Sequence, residues 1–255
     1  MRVLEGPSQL VLVRHGESRG NVADRMARDA GALRLDLDLR DADMPLSNLG
    51  EQQAEALGRH LAAAREQDRP TRVFTSPYER AAATARLTMA AAGLDAAVEP
   101  DERLRERELG AFDGMTGAGI RELHPEEADR RKWLGKFYYR PPGGESWADV
   151  VQRVRQFLLN LSMDPGPSDH VWVFTHQAVI LAFRVALEGL TEREILDIDG
   201  SAPLANCSTT RYRCDEAGEW HLEAFADTGP VEDLAPTTRE QPAPDRATDA
   251  VQAQS

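Results

Sequence analysis

Four apolar residues near the start of the chain, LVLV at positions 10–13, are followed at once by Arg-His-Gly-Glu at positions 14–17. An apolar run of this length, rich in valine and bounded by polar residues, predicts a buried strand. A strand covered on both faces belongs to a parallel sheet, and such sheets bind ligands just beyond the carboxyl ends of their strands. Arg14 and His15 therefore lie where a ligand is expected, and Gly16 allows the backbone to turn sharply there.

Two further apolar runs predict strands that end near residues of the same chemical kind. The run VFT at 73–75 is followed by a helix that carries Arg80 in its first turn. The run VWVFT at 171–175 is followed directly by His176. Because the carboxyl ends of parallel strands meet at one edge of a sheet, we expect these two side chains to lie close to the first Arg-His pair.

A carboxylate is expected at the same edge of the sheet. Glu106 lies in the polar turn LRERELG at 104–110, which follows a short strand predicted at Val98. Glu102 and Glu108 lie nearby in the sequence, and Glu108 is the stronger alternative to Glu106. The sequence therefore predicts one carboxylate beside the two histidines, with Glu106 as the first candidate.

Two arginines and two histidines around one cavity suit a phosphoryl group, because guanidinium donors match phosphate oxygens. His15 is the predicted nucleophile, and Arg14 and Arg80 disfavour its cationic form. Glu106 is the predicted proton donor to the leaving oxygen, since a phosphate dianion beside it favours its protonated form. This pattern predicts covalent catalysis through phosphohistidine. A metal ion held by His15 and His176 is the alternative, and the nearby arginines oppose a cation.

Helical spacing and capping residues predict most of the remaining elements. Ser47 is the predicted N-cap of one helix, and three further helices are predicted at 78–92, 145–161 and 178–187. One or two short helices are predicted within 115–136, and a hairpin is predicted around 215–218. Strands that alternate with helices indicate an α/β fold with a parallel sheet.

Two segments do not follow this alternation. Residues 21–45 carry many charges and are interpreted as an insertion, either a mobile flap over the ligand or a solvated loop without a role. From Thr228 onward, frequent proline and few apolar residues predict a disordered tail. We therefore divide the chain into one domain at 1–227 and a tail at 228–255.

Composition limits the partners and the location of the protein. The net charge of −13 argues against nucleic acid or an anionic membrane as a partner. The start of the sequence has no signal-peptide pattern, and no apolar run approaches the ~18 residues that span a bilayer. Cys207 and Cys214 are predicted to lie on one strand, too far apart for a disulfide. We therefore expect free thiols and a cytoplasmic location.

The same residues resemble the motifs of the histidine phosphatase superfamily, with its phosphoglycerate mutase-like branch as the closer match. The resemblance covers roughly residues 10–225, and the order of the motifs makes it specific. The matching motifs are Arg14-His15-Gly16-Glu17-Ser18 with Asn21, Ser76-Pro77-x-x-Arg80-x-x-x-Thr84, Leu104-x-Glu106-x-x-x-Gly110-x-x-x-Gly114, Gly143-Gly144-Glu145-Ser146 and Thr175-His176.

By position, the resemblance implies that His15 is phosphorylated and that Glu106 acts first as an acid and then as a base. It implies that several polar residues bind the phosphoryl group, namely Arg14, Arg80, Asn21 and His176, and that His176 belongs to the catalytic set. It also implies a three-layer α/β/α sandwich with a mainly parallel central sheet. Residues 21–45 and 115–144 would cover the site, and no metal or other cofactor is implied.

The chain departs from the family pattern at two places. Many members have glycine after the second histidine, where the backbone amide approaches phosphate; Gln177 can still donate its amide there but narrows the pocket. Glycolytic mutases carry a Phe-Thr-Gly-Trp-like stretch that contacts phosphoglycerate, whereas here a charged segment ends in Met-Pro-Leu-Ser at 44–47. The second departure favours a phosphatase of small phosphomonoesters over a phosphoglycerate mutase-type phosphotransferase. A non-catalytic domain that binds phosphorylated ligands is the alternative from a different class.

The expected partner is therefore a small phosphorylated substrate. Tyr138, Tyr139 and Arg140 lie in an aromatic loop and are candidates for substrate specificity, although packing of the cover segment is the alternative role for them. A short edge strand would allow a homodimer without requiring one.

Overall fold

In the computed structural model, which describes residues 7–163, 170–201 and 204–234, six strands alternate with eight α-helices. The strands are β1 (Gln9–Arg14), β2 (Arg72–Thr75), β3 (Val98–Pro100), β4 (His170–Thr175), β5 (Thr209–Cys214) and β6 (Trp220–Asp227). The helices are α1 (Arg19–Asp29), α2 (Asn48–Ala62), α3 (Glu79–Ala91), α4 (Gly117–Leu123), α5 (Pro125–Leu134), α6 (Trp147–Met163), α7 (Gln177–Glu188) and α8 (Glu192–Ser201).

The six strands form one mixed sheet in the order β3-β2-β4-β1-β5-β6. The first four of these strands are parallel to one another, while β5 is antiparallel to β1 and forms a hairpin with β6 at the edge. β1 lies between β4 and β5, so it is covered by neighbours on both sides. The prediction of a mainly parallel α/β sheet is confirmed, with an antiparallel hairpin added at one edge.

The alternation of residues along β1 separates two apolar cores. Leu10 and Leu12 pack in the core that contains residues of α6 and α7. Val11 and Val13 face the opposite side of the sheet and pack with residues of α2 and α3. Successive side chains of a strand point to opposite faces, so four apolar residues in a row require a layer of helices on each face. The predicted three-layer α/β/α architecture follows directly from this.

The segment at 21–45 differs from the prediction, because its first part is helical. α1 begins after Ser18, whose hydroxyl accepts a hydrogen bond from Asn21 N at 3.1 Å. Asn21 Oδ1 accepts in return from Ser18 N at 3.0 Å, and the two bonds form a capping box. Only the part between α1 and α2 is an irregular loop, which is tied to the rest of the fold by an isolated bridge between Arg34 and Met115.

α2 approaches the loop after β1 so closely that only glycine fits at two positions. A Cβ atom on Gly50 would lie 2.0 Å from Glu17 O, and one on Gly16 would lie 2.5 Å from Gly50 O. Ser47 is the N-cap of α2, as predicted, and its hydroxyl accepts from Gly50 N at 3.1 Å. The same hydroxyl donates to Glu17 Oε1 at 2.8 Å, so the start of α2 fixes the loop that carries His15.

The end of the described chain departs from the tail prediction. Residues Gly229–Val231 form a 3₁₀ turn after β6, and Val231 is buried in the same core as Leu57 of α2. Residues 235–255, where the rest of the predicted tail falls, lie outside the described part of the chain. The turn thus lies beyond the domain limit drawn at residue 227, and the division of the chain into a domain and a tail stays a prediction.

The two cysteines are free thiols, as predicted, but they do not share a strand. Cys207 lies two residues before β5, with a φ angle of 56°, and Cys214 is the last residue of that strand. Among the residues that the structure describes, no helix combines the length and the apolar composition needed to cross a bilayer.

Candidate active site

The register between β1 and β4 brings the two histidines together. Arg14 pairs with Thr175 at the end of the parallel ladder, so His15 and His176 follow at the same level. His15 N donates to Thr175 O at 2.9 Å, and the two imidazole rings lie 5.1 Å apart between centroids, inclined by 61°. Both side chains are fully buried.

Arg80 reaches the same place from β2. This strand ends at Thr75, and α3 begins four residues later with Arg80 in its first turn. Arg80 Nε donates to His15 Nε2 at 3.3 Å, and the Arg80 side chain is buried. The turn that joins the two elements also contacts the second histidine, since Ser76 Oγ lies 2.9 Å from His176 Nε2.

Two hydrogen bonds fix the protonation of the His15 ring. Nδ1 lies 2.7 Å from Gly16 O, and because a carbonyl oxygen can only accept, Nδ1 carries the hydrogen. Nε2 accepts from Arg80, so it carries the lone pair. The ring is therefore neutral, with its nucleophilic nitrogen directed towards the arginine side chain.

Of the three glutamates considered from the sequence, Glu106 lies beside an imidazole in the described part of the chain. Glu106 Oε2 lies 3.8 Å from His176 Nδ1, and Oε1 accepts from Arg107 N at 2.7 Å. The turn that carries it is held at the end of β4, where Thr175 Oγ1 donates to Leu104 O at 2.8 Å. Glu102 is exposed on the preceding turn.

The remaining predicted phosphate ligands lie at the end of β1 or in the helices that follow β1 and β4. Arg14 is fully buried and one of its terminal nitrogens donates to Leu204 O. Asn21 lies at the cavity, and its Oδ1 is 3.4 Å from Asn206 Nδ2. Gln177 begins α7 and also lines the cavity. Its side chain is directed towards α8, where Nε2 donates to Asp199 Oδ1 at 3.0 Å.

The three specificity candidates do not lie at this site, because each has strong partners elsewhere. Tyr138 is 57% exposed and stacks edge-on against Phe137. The Tyr139 hydroxyl donates to Glu127 at 2.8 Å. Arg140 forms a two-pronged ion pair with Asp149, so its charge supports the start of α6. None of the three is among the residues that line the described cavity. Their alternative role, packing of the cover segment, fits these contacts better.

A cavity of about 410 Å³ is lined by Arg80, Glu106 and Gln177, and its lining includes residues that the sequence analysis did not single out. Neither of the two histidines is among the residues that line it. Leu35, Leu37 and Leu39 contribute one apolar wall. These leucines occupy every second position of the loop between α1 and α2, an alternation that was visible in the sequence. An organic group larger than phosphate can therefore contact apolar surface here.

Charged residues missed from the sequence also line the cavity. Arg107 follows Glu106 directly, and burial lowers its pKa to about 10. Asp113 lies near the apolar wall, and its pKa is raised by burial and then by the negative charge of Asp41. For Arg107, the only sign in the sequence of a role at the cavity was its position next to the predicted catalytic residue Glu106. Nothing local in the sequence distinguished Asp113 or Asp41 from neighbouring acidic residues.

Asp41 is the residue most closely joined to the predicted phosphate ligands. It begins the 3₁₀ turn Asp41–Asp43 in the loop between α1 and α2. Arg80 Nη1 donates to Asp41 O at 2.6 Å, and Arg80 Nη2 donates to Asp41 Oδ2 at 3.0 Å. Asp41 thus binds both terminal nitrogens of Arg80, while the Nε of the same guanidinium group contacts His15.

The sheet thus holds two buried imidazoles, a guanidinium group and a carboxylate at one edge. The sequence profile of the histidine phosphatase superfamily (branch 1) matches residues 10–228, so the chain belongs to this family. The predicted family, inferred from the motifs around these same residues, is confirmed.

Sequence relatives carry names that denote phosphoryl transfer. A 6-phosphofructo-2-kinase/fructose-2,6-bisphosphatase of Caenorhabditis elegans is 32% identical over 225 residues, which cover 84% of this chain and 43% of that protein. The chain thus spans less than half the length of this relative. A 2,3-bisphosphoglycerate-dependent phosphoglycerate mutase 2 of Gloeobacter violaceus is 31% identical over 201 residues, which cover 77% of this chain and 84% of that protein.

Solved structures show the same fold. A mycobacterial glucosyl-3-phosphoglycerate phosphatase in complex with VO3 has 28% identity and a TM-score of 0.68, covering 86% of this chain and 99% of its own. The protein YhfR of Bacillus stearothermophilus has 30% identity and a TM-score of 0.69, covering 88% of this chain and 99% of its own.

Proposed function

We propose that this chain is a metal-independent phosphatase that hydrolyses small phosphomonoesters through a phosphohistidine at His15. The observation that carries the proposal is the set of contacts around one ring: Arg80 at 3.3 Å from His15 Nε2 and the His176 ring at 5.1 Å. Arginine and histidine donors gathered around this ring suit the oxygens of a phosphoryl group. The neutral His15 ring offers its lone pair to the phosphorus atom.

In the first half of the reaction, His15 Nε2 bonds to phosphorus while the bond from phosphorus to the ester oxygen breaks. Glu106 gives its proton to that oxygen, and the alcohol leaves. Arg14, Arg80 and His176 donate hydrogen bonds to the phosphoryl oxygens as charge develops on them. Asn21 and the backbone amide of Gln177 are further donors for the same group.

In the second half, a water molecule attacks the phosphorus atom and the phosphorus–nitrogen bond breaks. Glu106, now ionised, takes a proton from that water. Inorganic phosphate leaves, and the ring and the carboxyl group return to their starting states. No step requires a metal ion, and the guanidinium groups beside the imidazoles disfavour one.

Turnover and labelling experiments test the proposal together. We expect release of inorganic phosphate from at least one of several esters, unchanged by a chelator: sugar phosphates, phosphoglycerates including glucosyl-3-phosphoglycerate, fructose bisphosphates, nucleotides and a chromogenic aryl ester. We expect a radioactive phosphoryl group on the wild-type protein after an alkaline quench, because phosphohistidine survives base. His15→Ala should lose both signals, while His60→Ala, a matched change on the exposed side of α2, should keep them.

Three results would contradict the proposal. Equal turnover by His15→Ala would exclude the covalent role of that ring. Rapid conversion of 3-phosphoglycerate into 2-phosphoglycerate without release of phosphate would instead identify a mutase. Tight binding of phosphate esters with neither labelling nor turnover would identify a non-catalytic binding domain.

A further inference from the structure

Arg80 lies across the direction from which a phosphoryl group must approach His15. Its Nε–H donates to His15 Nε2, the ring nitrogen that carries the lone pair, with 3.3 Å between the two nitrogens. A reactive complex places phosphorus about 3–3.5 Å from the attacking nitrogen along that same lone pair. Arg80 Nε and a phosphorus atom therefore cannot occupy this position together, and the guanidinium group must move before attack.

Asp41 holds Arg80 in that position from the far side. It accepts from Arg80 Nη1 through its carbonyl oxygen at 2.6 Å and from Nη2 through its carboxylate at 3.0 Å. The Arg80 side chain is only 3% exposed, whereas that of Asp41 is 41% exposed, so the aspartate meets the arginine from the solvent side of the cavity. Asp41 also lines that cavity, through which a ligand enters.

The carboxylate of Asp41 makes the kind of contact that a phosphate oxygen would make. Both are anionic acceptors of charge-assisted hydrogen bonds from a guanidinium group. A phosphoryl dianion that binds Arg80 must displace the Asp41 carboxylate or share the arginine with this second negative charge. Both possibilities lower the affinity of the site for the phosphoryl group.

The geometry points to Asp41 as a positioning residue that competes with the phosphoryl group for Arg80 and so sets the affinity of the site for phosphate. The residue acts through Arg80 and takes no part in bond making or breaking. The competition weakens retention of the product phosphate, which favours release. The inference rests on the proposed function only in taking a phosphoryl group as the ligand.

Binding of orthovanadate and inorganic phosphate, measured by calorimetry on the full chain, tests the inference without requiring turnover. We expect Asp41→Asn and Asp41→Ala each to lower both dissociation constants by at least about fivefold, because a competing anion has been removed. For any ester that is turned over, KM should fall by a similar factor while kcat does not rise. A role limited to supporting the loop would instead raise KM.

Asp43 provides a matched control for the loss of charge. It lies on the same 3₁₀ turn and is paired with the exposed Arg40, at 2.7 Å from its Nε. Asp43→Asn should leave both dissociation constants unchanged. Unchanged or weaker binding in the two Asp41 variants, or equal tightening in Asp43→Asn, would overturn the inference. Tighter binding in the Asp41 variants of a protein that turns over no ester would support the inference while the proposed function fails.

Discussion

Glu106 and Glu108 are two residues apart and both line the cavity, yet their carboxylates have different neighbours. Glu106 Oε2 lies 3.8 Å from His176, whereas Glu108 Oε1 accepts from Gly110 N at 3.2 Å within its own turn. A proton donor must reach the leaving oxygen of an ester that is bound at the imidazoles. At the scale of the residue, the position of the carboxylate relative to the imidazole rings therefore favours Glu106 over Glu108 as the proton donor.

Exchange of each carboxylate for an amide tests this assignment. Glu106→Gln should lower kcat for an alkyl phosphate about 100- to 10,000-fold, because the leaving alkoxide needs a proton. The loss should be smaller for p-nitrophenyl phosphate, whose phenolate leaves without one. Glu108→Gln is the matched control and should keep most of the activity towards both esters. The opposite result, with the larger loss in Glu108→Gln, would move the acid role to that residue.

The start of α6 shows how one element is stabilised by side-chain contacts that include Arg140, one of the candidates for substrate specificity. Ser146 Oγ and N both donate to Asp149 Oδ2, at 2.7 and 2.8 Å, and Asp149 N donates to Ser146 Oγ at 3.2 Å. Arg140 adds a second pair of bonds to the same carboxylate. Together the hydrogen bond from Arg140 and those from Ser146 lower the pKa of Asp149 from its ordinary value of 3.8 to about 2.

Because the folded-state pKa of Asp149 is lowered, its contribution to stability is present above the unfolded value and is lost as the pH falls towards 2. Asp149→Asn should lower the free energy of unfolding at pH 7 by about 1 kcal/mol, the usual contribution of a helix cap, since the exposed arginine adds little. The difference from wild type should shrink between about pH 4 and pH 2.

Urea denaturation across this pH range measures the effect. Asp197→Asn removes a carboxylate from an exposed ion pair with Arg193 on α8. This variant should have nearly the same free energy of unfolding as wild type at every pH. A difference between wild type and Asp149→Asn that is independent of pH would show that the carboxylate charge is not what stabilises the start of α6.

At the scale of the whole molecule, the last described residues are joined to the active-site loop through α2. Gln53 Nε2 donates to Leu234 O at 3.4 Å, and Gln53 Oε1 accepts from Glu17 N at 2.9 Å. Val231 is 5% exposed and packs in the core beneath α2. The chain beyond β6 therefore supports the helix whose first turn fixes the loop that carries His15.

Two shortened chains test this connection. A chain that ends at Asp227 loses the burial of Val231, which contributes about 1.5–3 kcal/mol, and its thermal midpoint should fall by several degrees. A chain that ends at Leu234 keeps these contacts and should match the full-length protein in midpoint and in vanadate affinity. Equal midpoints for the two chains would show that the turn at Gly229–Val231 does not stabilise the fold.

The sequence alone determined the parts of this protein that depend on local pattern. Four apolar residues in a row at 10–13 required a strand covered on both faces, and the polar residues after three such strands indicated one edge of a parallel sheet. The position of each histidine directly after its strand was enough to predict that the two lie close together, because the parallel register between β1 and β4 brings His15 and His176 to the same level. The family assignment followed from the order of the same residues.

Only the tertiary structure decided which side chains meet across the cavity. The contact between Arg80 and Asp41 joins residues 39 positions apart, through a loop whose path no periodicity encodes. Tyr139 donates to Glu127 and Arg140 donates to Asp149, and neither residue lines the cavity. A buried or half-buried polar group forms a hydrogen bond with whichever acceptor the packing brings near it. Local sequence fixes where a strand or helix forms and ends, while the partner of a loop side chain depends on how distant elements pack.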